Sequence, residues 1–316
     1  MTAPARTLFL GSGAFAVPTL ETLAGHPDVD LAAVITSPPR PAGRGGALRP
    51  SPVGAWTATH GLTTMTPTRL GDSATLAEIR ALAPELVALA DYGRLVPRAL
   101  LDLPRHGALN LHPSLLPRHR GATPIPAAIL AGDQETGVTL MRMDEGLDTG
   151  PIVAQRRVPL NRDETAPDLE ARLSSIAAEL LAETLPAWLH GEHVAQPQDP
   201  GAATLTRPLR REDGALDARR RAAELERQVR AYQPWPGSYL DTDAGRVIVW
   251  RSEVGAGEGS AEPGRLVAVD DGIALSTQDG LLHLLEVQPA GGRRMSGAEL
   301  VRGRPKLIGS RVSVPA

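Results

Sequence analysis

The sequence of 316 residues contains no cysteine, which excludes disulfide bonds, thiolate metal sites and cysteine nucleophiles. Lysine occurs once, as Lys306, so arginine supplies nearly all of the basic charge. No apolar run approaches the roughly 18 residues that span a bilayer. The first residues lead into a strand-like segment without the apolar core of a signal peptide. We therefore expect a cytoplasmic protein without a membrane anchor.

The charge of the chain is small in total but uneven along it. The net charge of −3 argues against non-specific coating of nucleic acid. Residues 1–206 carry 16 basic and 21 acidic side chains, whereas residues 207–316 carry 17 and 15. Arg207–Arg230 holds eight arginines against five acids, and Arg293–Arg311 holds six basic residues against one acid. These two stretches are either solvated faces or a phosphate-binding surface.

The length predicts two domains, and a change in the pattern of apolar residues along the chain indicates where each one lies. Apolar runs alternate with helical patterns over the first 160 residues, which predicts a doubly wound parallel α/β sheet. The predicted strands are Leu8–Leu10, Leu31–Ile35, Leu86–Ala90, Ala108–Leu111 and Val138–Met143. The predicted helices are Val17–Leu23, Pro52–Thr59, Ser73–Leu82, Pro124–Ala131 and Ala166–Leu189.

The first domain is assigned to residues 1–189 and the second to residues 208–316. Residues 190–207 between them have few large apolar side chains and several prolines and glycines, which is typical of a linker. In the second domain a helical pattern over Arg219–Ala231 precedes short Val-, Leu- and Ile-rich segments separated by turn signals. This spacing predicts a small barrel or sandwich. Gly255–Ser260 is predicted to be a surface loop.

The loop after the first strand, Gly11–Ala16, matches a loose form of the dinucleotide-binding fingerprint. The acidic residue expected about 20 positions later is absent. We therefore interpret the loop as a tight turn between strand and helix rather than an NAD site.

Three polar residues are candidates for catalysis. Asn110 and His112 share one face of a predicted strand because side chains repeat every two residues, and its carboxyl end is where open α/β sheets bind ligands. Asp148 lies in a glycine-bounded loop after another strand, and its carboxylate could orient the imidazole of His112 and favour its charged form. A hydrogen-bonded structural pair and an ordinary Asp-stabilised turn are the alternatives.

Together these segments resemble the folate-dependent formyltransferases. The likeness is carried by Asn110, His112, Ser114-Leu115-Leu116-Pro117, Gly121 and Asp148. It extends to the segments 37–53, 131–139, 232–236 and 288–291, which are similar to those of family members that act on methionyl-tRNA.

The resemblance implies a Rossmann-like catalytic domain followed by an OB-fold-like β-barrel domain. It implies 10-formyltetrahydrofolate as the donor and the α-amino group of methionyl initiator tRNA as the acceptor. We expect no metal site, because the eight histidines are scattered along the chain, and a monomer without an obligate protein partner. Asn110 and a protonated His112 would stabilise the oxyanion, while Asp148 keeps His112 charged and relays a proton. The implied folate-binding residues are Leu89, Ala90, Asp91, Tyr92, Gly93, Ser114, Leu115, Leu116 and Pro117. The implied tRNA-binding residues are Arg40, Arg44, Arg49, Arg207, Arg293 and Arg294.

Three features depart from the family pattern. The first loop reads Gly-Ser-Gly where Gly-Thr-Pro is familiar, and Asp91 takes the place of a small residue in the pocket segment. The basic positions are arginines, which keeps their charge and changes their hydrogen-bond geometry. A formyltetrahydrofolate hydrolase, a formyltransferase with a small acceptor such as an amino sugar or glycinamide ribonucleotide, and a non-enzymatic RNA-binding protein are the alternative functions. The arginines of residues 38–50 favour tRNA over the small acceptors, and the intact polar trio argues against a non-enzymatic protein.

Overall fold

The computed structural model describes residues 3–42, 46–243, 245–255, 262–270 and 272–313, which form two compact units. Unit 1 takes the described residues of Met1–Pro124, Glu135–Pro159 and Glu170–Arg207. Unit 2 takes those of Ile125–Gln134, Leu160–Leu169 and Pro208–Ala316. In the described part of the chain, no helix combines the length and apolarity that a membrane crossing requires.

Unit 1 contains eleven strands within its described residues. They are β1 (Ala5–Gly11), β2 (Val29–Ile35), β3 (Arg40–Ala42), β4 (Ala47–Arg49), β5 (Thr64–Met65), β6 (Leu86–Ala90), β7 (Ala108–His112), β8 (Arg120–Gly121), β9 (Glu135–Arg142), β10 (Ile152–Pro159) and β11 (Leu205–Thr206). Its helices are α1 (Ala16–Gly25), α2 (Pro52–His60), α3 (Ser73–Ala81) and α4 (Arg98–Leu101). Helix α5 (Pro124–Ala131) lies almost wholly in unit 2, and α6 (Ala166–Leu189) has residues in both units.

The main sheet of unit 1 has the strand order β10-β9-β7-β6-β1-β2-β5. Strands β7 to β5 are parallel, whereas β9 runs antiparallel to β7 and β10 antiparallel to β9. The chain moves outward from β1 in one direction through β2 and β5, and returns to the other side of β1 as β6. The carboxyl ends of β1 and β6 therefore form the topological switch point, where open sheets of this type bind ligands.

The residues at its two ends explain where helix α2 begins and ends. The helix follows the chain segment that lies next to the switch point. The Ser51 side chain accepts a hydrogen bond from the Gly54 N–H at 3.0 Å, and Pro52 occupies the first helical turn, where its missing N–H costs nothing. Gly61 ends the helix in the left-handed conformation at φ 64°. The core beneath is mainly aliphatic, with Leu8, Leu10 and other strand residues fully buried.

Unit 2 contains a six-stranded antiparallel sheet. Its strands are β12 (Ser238–Thr242), β13 (Gly245–Val254), β14 (Leu266–Val269), β15 (Gly272–Ser276), β16 (Leu281–Pro289) and β17 (Met295–Ser296), and its remaining helices are α7 (Ala222–Ala231) and α8 (Gly297–Gly303). The strand order is β12-β13-β16-β15-β14, with β17 paired to β16. The C-terminal segment forms antiparallel bridges at both edges, Thr242 with Val312 and Arg265 with Arg311. This segment therefore bridges the two edges of the curled sheet, which forms a half-barrel around an apolar core.

The predicted fold class is confirmed. The doubly wound sheet is parallel from β7 to β5, and β9 and β10 run antiparallel at one edge, a feature that we did not predict. Strand β10 was not predicted, because the polar and charged residues Gln155, Arg156 and Arg157 interrupt its apolar pattern. Helix α7 begins at Ala222 rather than at residue 219. Most of the loop predicted at 255–260 lies outside the described residues.

Candidate active site

Strand β7 presents two polar side chains to one face at the carboxyl edge of the sheet. Asn110 is half-buried and His112 is 4% exposed. Asn110 is in register with Leu89 of the neighbouring parallel strand β6, so both strands end at the same edge. Within the described residues the Asn110 side-chain amide makes no hydrogen bond, so its donors remain available to a ligand.

The imidazole of His112 is fixed by a backbone carbonyl. Its Nε2 lies 2.9 Å from the carbonyl oxygen of His119. A carbonyl oxygen only accepts, so Nε2 carries the proton and donates it. In the neutral imidazole Nδ1 is therefore the basic nitrogen, and it lies 3.6 Å from the Asp148 Oδ2 atom.

Asp148 approaches His112 from the loop between β9 and β10. Its φ of +52° is a left-handed conformation that aspartate tolerates better than most residues. Its Oδ2 accepts a hydrogen bond from the Gly121 N–H at 2.8 Å. Gly121 itself has φ +104°, and a Cβ there would lie 2.5 Å from the Thr206 carbonyl oxygen, so glycine is required at this contact. The three residues predicted from sequence are thus brought together.

Burial and the neighbouring carboxylate act in opposite directions on the pKa of His112. Burial lowers the pKa of His112 below its usual value of 6.5, and the raising effects of Asp148 and of the His119 carbonyl do not outweigh burial. Desolvation of the imidazolium therefore acts against the charged form that we expected Asp148 to maintain, and it favours the neutral imidazole.

The segment Ser114–Pro117 follows β7, and hydrogen bonds of the Ser114 and Thr139 hydroxyls fix its backbone. Ser114 is fully buried, and its hydroxyl donates to the carbonyl of Arg118 at 2.7 Å. The Thr139 hydroxyl donates to the Ser114 carbonyl at 2.7 Å and accepts the Leu116 N–H at 3.1 Å. The hydroxyl of Ser114 is thus already engaged within the turn, and Leu115 and Pro117 have the more accessible side chains.

A pocket of about 460 Å³ lies at the switch point, against the ends of β1 and β6. Its walls are Ser12, Gly13, Ser37, Pro38, Arg40, Pro41, Arg49, Pro50, Ser51, Pro52, Asp91, Tyr92, Gly93 and Arg94. The N–H groups of Ser12 and Gly13 donate to the Asp91 carbonyl at 2.9 and 3.3 Å. These two donors are therefore engaged within the protein, which fits a tight turn better than a pyrophosphate site.

Asp91 brings a carboxylate into this pocket. The residue has φ +44°, and a Cβ on Gly13 would lie 1.6 Å from the Asp91 Oδ2 atom, so the carboxylate occupies the space that the glycine leaves open. The side chain reaches solvent through the pocket but has protein on most sides. This burial, with the charge of Glu170 as a smaller contribution, raises the pKa of Asp91 from 3.8 to about 6.

Sequence comparison gives this arrangement a context. Residues 5–185 match the model of the formyl transferase family, and residues 208–305 match that of its C-terminal domain. The chain belongs to the formyl transferase family. It is 45% identical over 308 residues to the methionyl-tRNA formyltransferase of Thermus thermophilus, covering 97% of this chain and 99% of the relative. It is 44% identical over 307 residues to the methionyl-tRNA formyltransferase of Roseiflexus sp. strain RS-1, covering 95% and 93%.

Solved structures share the formyl transferase fold. An N-formyltransferase from Helicobacter canadensis in complex with folinic acid and dTDP-3-aminofucose has a TM-score of 0.65 at 19% identity, covering 88% of this chain and 97% of that one. HypX from Aquifex aeolicus, in a multiply substituted variant, has a TM-score of 0.65 at 18% identity, covering 96% of this chain and 48% of that one. The present chain thus spans about half the length of HypX. At these identities the likeness shows the fold.

The other residues that we predicted for the folate site of this formyl transferase lie around the same strand ends. Leu89 and Ala90 are buried in β6, and Tyr92 is 5% exposed with its ring in the core. Asp91 and Gly93 are exposed at the pocket. Of the residues predicted to bind folate in this segment, Asp91 and Gly93 are therefore accessible to a ligand, whereas Leu89, Ala90 and Tyr92 are buried beneath them.

Two of the arginines predicted to bind tRNA form a cross-strand pair. Arg40 of β3 and Arg49 of β4 are directly opposite each other in the antiparallel register, and both are exposed and line the pocket. Like charges in this relation destabilise an isolated hairpin. An anion between them would relieve this repulsion. Arg44, between the two strands, lies outside the described residues.

The remaining predicted tRNA contacts are also exposed. Arg207 is at the end of unit 1, after β11. In unit 2, Arg293 lies 3.3 Å from a carboxylate oxygen of Glu299 and lines a cleft of about 500 Å³. Arg294 stacks over the Trp250 ring, with its guanidinium carbon 3.5 Å from the ring centroid.

Two side chains of the site gave no signal in the sequence. Arg120 and Gln198 join the loop of Asp148 to the segment after β7, and the sequence placed Gln198 in a linker. No composition or spacing rule marks them, since their role depends on contacts between residues 78 positions apart. Among the described residues there is no group of three or more His, Asp or Glu side chains that could hold a metal ion.

Proposed function

We propose that this protein transfers the formyl group of 10-formyltetrahydrofolate to the α-amino group of methionyl initiator tRNA, giving N-formylmethionyl-tRNA for translation initiation. The observation that carries this proposal is the convergence of Asn110, His112 and Asp148 at one strand end. It stands in a chain that is 44–45% identical along nearly its whole length to methionyl-tRNA formyltransferases. 

The bound folate supplies the formyl carbon, which the amine attacks before the bond from that carbon to N10 breaks. Negative charge develops on the formyl oxygen, and the amine nitrogen must lose a proton. The protein therefore has to provide a hydrogen-bond donor for the oxygen and an acceptor for the proton.

Asn110, His112 and Asp148 supply these functions. The Asn110 amide donates to the developing oxyanion, since its N–H groups have no partner among the described residues. The neutral His112 takes up the amine proton at Nδ1, directly or through a water molecule. The imidazolium formed is stabilised by the Asp148 carboxylate 3.6 Å away, and it gives the proton to N10 as the bond from the formyl carbon to N10 breaks. This assignment makes His112 a base rather than the charged oxyanion donor expected from the sequence.

The residues around the strand ends form the folate site in this proposal. The segments Leu89–Gly93 and Ser114–Pro117 flank the carboxyl ends of β6 and β7. Asp91, Gly93 and Leu115 offer exposed or half-buried surface to the ligand. The buried members of both segments shape the backbone, whose polar groups can read the pterin without side-chain contacts. No metal is needed for this chemistry.

The arginines recognise the tRNA. Arg40 and Arg49, with Arg44 between them, meet phosphates near the acceptor end, and the repulsion within the cross-strand pair supports an anionic partner. Arg207, Arg293 and Arg294 extend the contact to phosphates elsewhere on the tRNA. 

The organisation that we propose is a catalytic domain of residues 1–189, a linker of residues 190–207 and a tRNA-binding domain of residues 208–316. The match of the C-terminal family model to residues 208–305 supports the last boundary. We further propose that the protein is a monomer and acts in the cytoplasm, where initiator tRNA is charged and used.

The test is a transfer assay with the full chain and labelled 10-formyltetrahydrofolate. The acceptors are methionyl initiator tRNA, methionyl elongator tRNA, a nucleotide-linked amino sugar, glycinamide ribonucleotide and water alone. We expect label on methionyl initiator tRNA and little on the others. Release of formate without transfer would instead indicate a hydrolase, and label on the sugar or on glycinamide ribonucleotide would indicate a small-acceptor enzyme.

A further inference from the structure

Gln198 holds the backbone of the loop that carries Asp148. Its Nε2 donates to the Asp148 carbonyl at 2.8 Å and to the Gly150 carbonyl at 2.6 Å. The two carbonyls lie on either side of Thr149, so one amide group restrains both ends of this short stretch. The stretch includes the left-handed Asp148, whose conformation is less favourable than a right-handed one and needs such restraint.

Arg120 fixes the orientation of that amide. Its Nε and Nη2 atoms both donate to the Gln198 Oε1 atom, at 3.0 and 2.7 Å. Arg120 only donates and the two loop carbonyls only accept, so the residue between them must accept on one side and donate on the other. Glutamine does this. Glutamate would set a carboxylate oxygen against the carbonyl oxygens, although it would still pair with Arg120.

Arg120 also belongs to a segment that touches both reacting side chains. His119 accepts the His112 Nε2–H through its carbonyl, and the Gly121 N–H donates to the Asp148 carboxylate. Arg120, between these two residues, is 8% exposed. Its backbone neighbours thus hold the imidazole and the carboxylate, while its side chain holds the loop of the carboxylate through Gln198.

We propose that Arg120 and Gln198 are positioning residues that set the distance between the Asp148 carboxylate and the His112 imidazole. They do not touch the reacting atoms, and the inference rests on the proposed roles of His112 and Asp148. The stabilisation of an imidazolium by a carboxylate falls as the distance between them grows. A displacement of about 1 Å in such a site can reduce turnover about 100-fold.

The test compares Gln198→Glu and Gln198→Met with the control Gln196→Glu in the full chain. Gln196 lies two positions away in the same segment, and its side chain is exposed. We expect both Gln198 variants to lower kcat about 10- to 100-fold with KM for either substrate within about twofold of wild type. Gln198→Glu keeps a partner for Arg120, so it guards against a variant that merely fails to fold. The control should behave as wild type.

A second readout needs no substrate. In Gln198→Met we expect the pKa of His112, followed by NMR of its ring nitrogens, to fall below the wild-type value, because Asp148 no longer raises it as strongly. A loss of thermal stability with unchanged kcat and unchanged His112 titration would overturn the proposal and leave a purely structural role. If the wild type instead formylates another acceptor, the proposed function fails, while the His112 titration still decides the positioning role.

Discussion

The reaction centre and the arginine hairpin β3–β4 lie in the same unit and are built in opposite ways. His112 is buried, has a pKa that burial lowers, and is held by a hydrogen bond to the His119 carbonyl. Arg40 and Arg49 are exposed and set like charges opposite each other. A buried site depends on the position of single atoms, whereas an exposed charged surface acts through summed charge that salt screens. The two regions should therefore respond differently to substitution and to salt.

The largest effect is expected at the reaction centre. Asn110→Ala and His112→Ala should each lower kcat about 10²- to 10³-fold or more, because each removes a group that acts on the developing charge or the moving proton. The loss should be the same at low and high salt. Single-turnover formyl transfer with saturating donor measures it directly.

Asn161→Ala is the matched control for the asparagine. Asn161 is exposed and begins the turn before α6, and its backbone N–H, rather than its side chain, bonds to Glu164. Circular dichroism and thermal unfolding should be near wild type in all three variants. Near-normal turnover in either reaction-centre variant would place the chemistry away from β7.

The second-largest effect is expected for Asp148→Asn, which removes the charge of the side chain and keeps its size. Asp148→Asn keeps an acceptor for the Gly121 N–H and tolerates the left-handed backbone. It removes the charge that raises the pKa of His112, so that pKa should fall further below 6.5. We expect kcat to drop about 100-fold, since the imidazolium loses its partner.

The sign of the pH effect follows from His112 acting as a base. Activity needs the neutral imidazole, so the rate falls on the acid side as pH drops through the His112 pKa. A lower pKa moves this acid limb to lower pH in Asp148→Asn. A limb that stays in place, measured as kcat against pH, would uncouple Asp148 from His112.

The hairpin should give a smaller, salt-dependent effect. Arg40→Ala and Arg49→Ala should each raise KM for tRNA about tenfold, as expected for one charged hydrogen bond to a phosphate, and change folate binding less. Each should also reduce the slope of log affinity against log salt by roughly 0.7 to 0.9. Equal losses in folate and tRNA binding would show instead that the substitutions disturb the pocket itself.

Individual strands and helices could be predicted from the sequence because the patterns that indicate them are local. The strand Leu86–Ala90 and the helices Pro124–Ala131 and Ala166–Leu189 were predicted with the bounds that the structure gives. Apolar residues recur in such segments at the spacing that buries one face of the helix or strand, and this spacing can be seen in the sequence. The shared face of Asn110 and His112 followed from the same rule.

The rest depended on contacts that no local pattern records. The direction of β9 and the edge strand β10 are set by pairing across the sheet rather than by composition. The pKa of His112 reflects how deeply the strand end is covered, and sequence spacing could show only the neighbouring carboxylate. Gln198 was assigned to a linker because its partners, Arg120 and the Asp148 loop, are distant in the chain.

The smallest effect concerns Asp91, whose pKa is raised from 3.8 to about 6 by burial and by Glu170. The folded protein holds this proton more tightly than the unfolded chain does. Its contribution to stability is therefore fully present below pH 3.8 and is lost as pH rises through about 6. Asp91→Asn removes this titration and suits the backbone φ of +44°. Relative to wild type, Tm should rise by about 1–2 °C near pH 8 and change less near pH 4, a small shift because the carboxylate reaches solvent.

Asp72→Asn, at an exposed carboxylate that makes no capping bond before α3, is the control. The same shift in both variants, or none in Asp91→Asn, would mean that solvent in the pocket screens Asp91 fully, and the pocket would then resemble the exposed hairpin rather than the buried reaction centre.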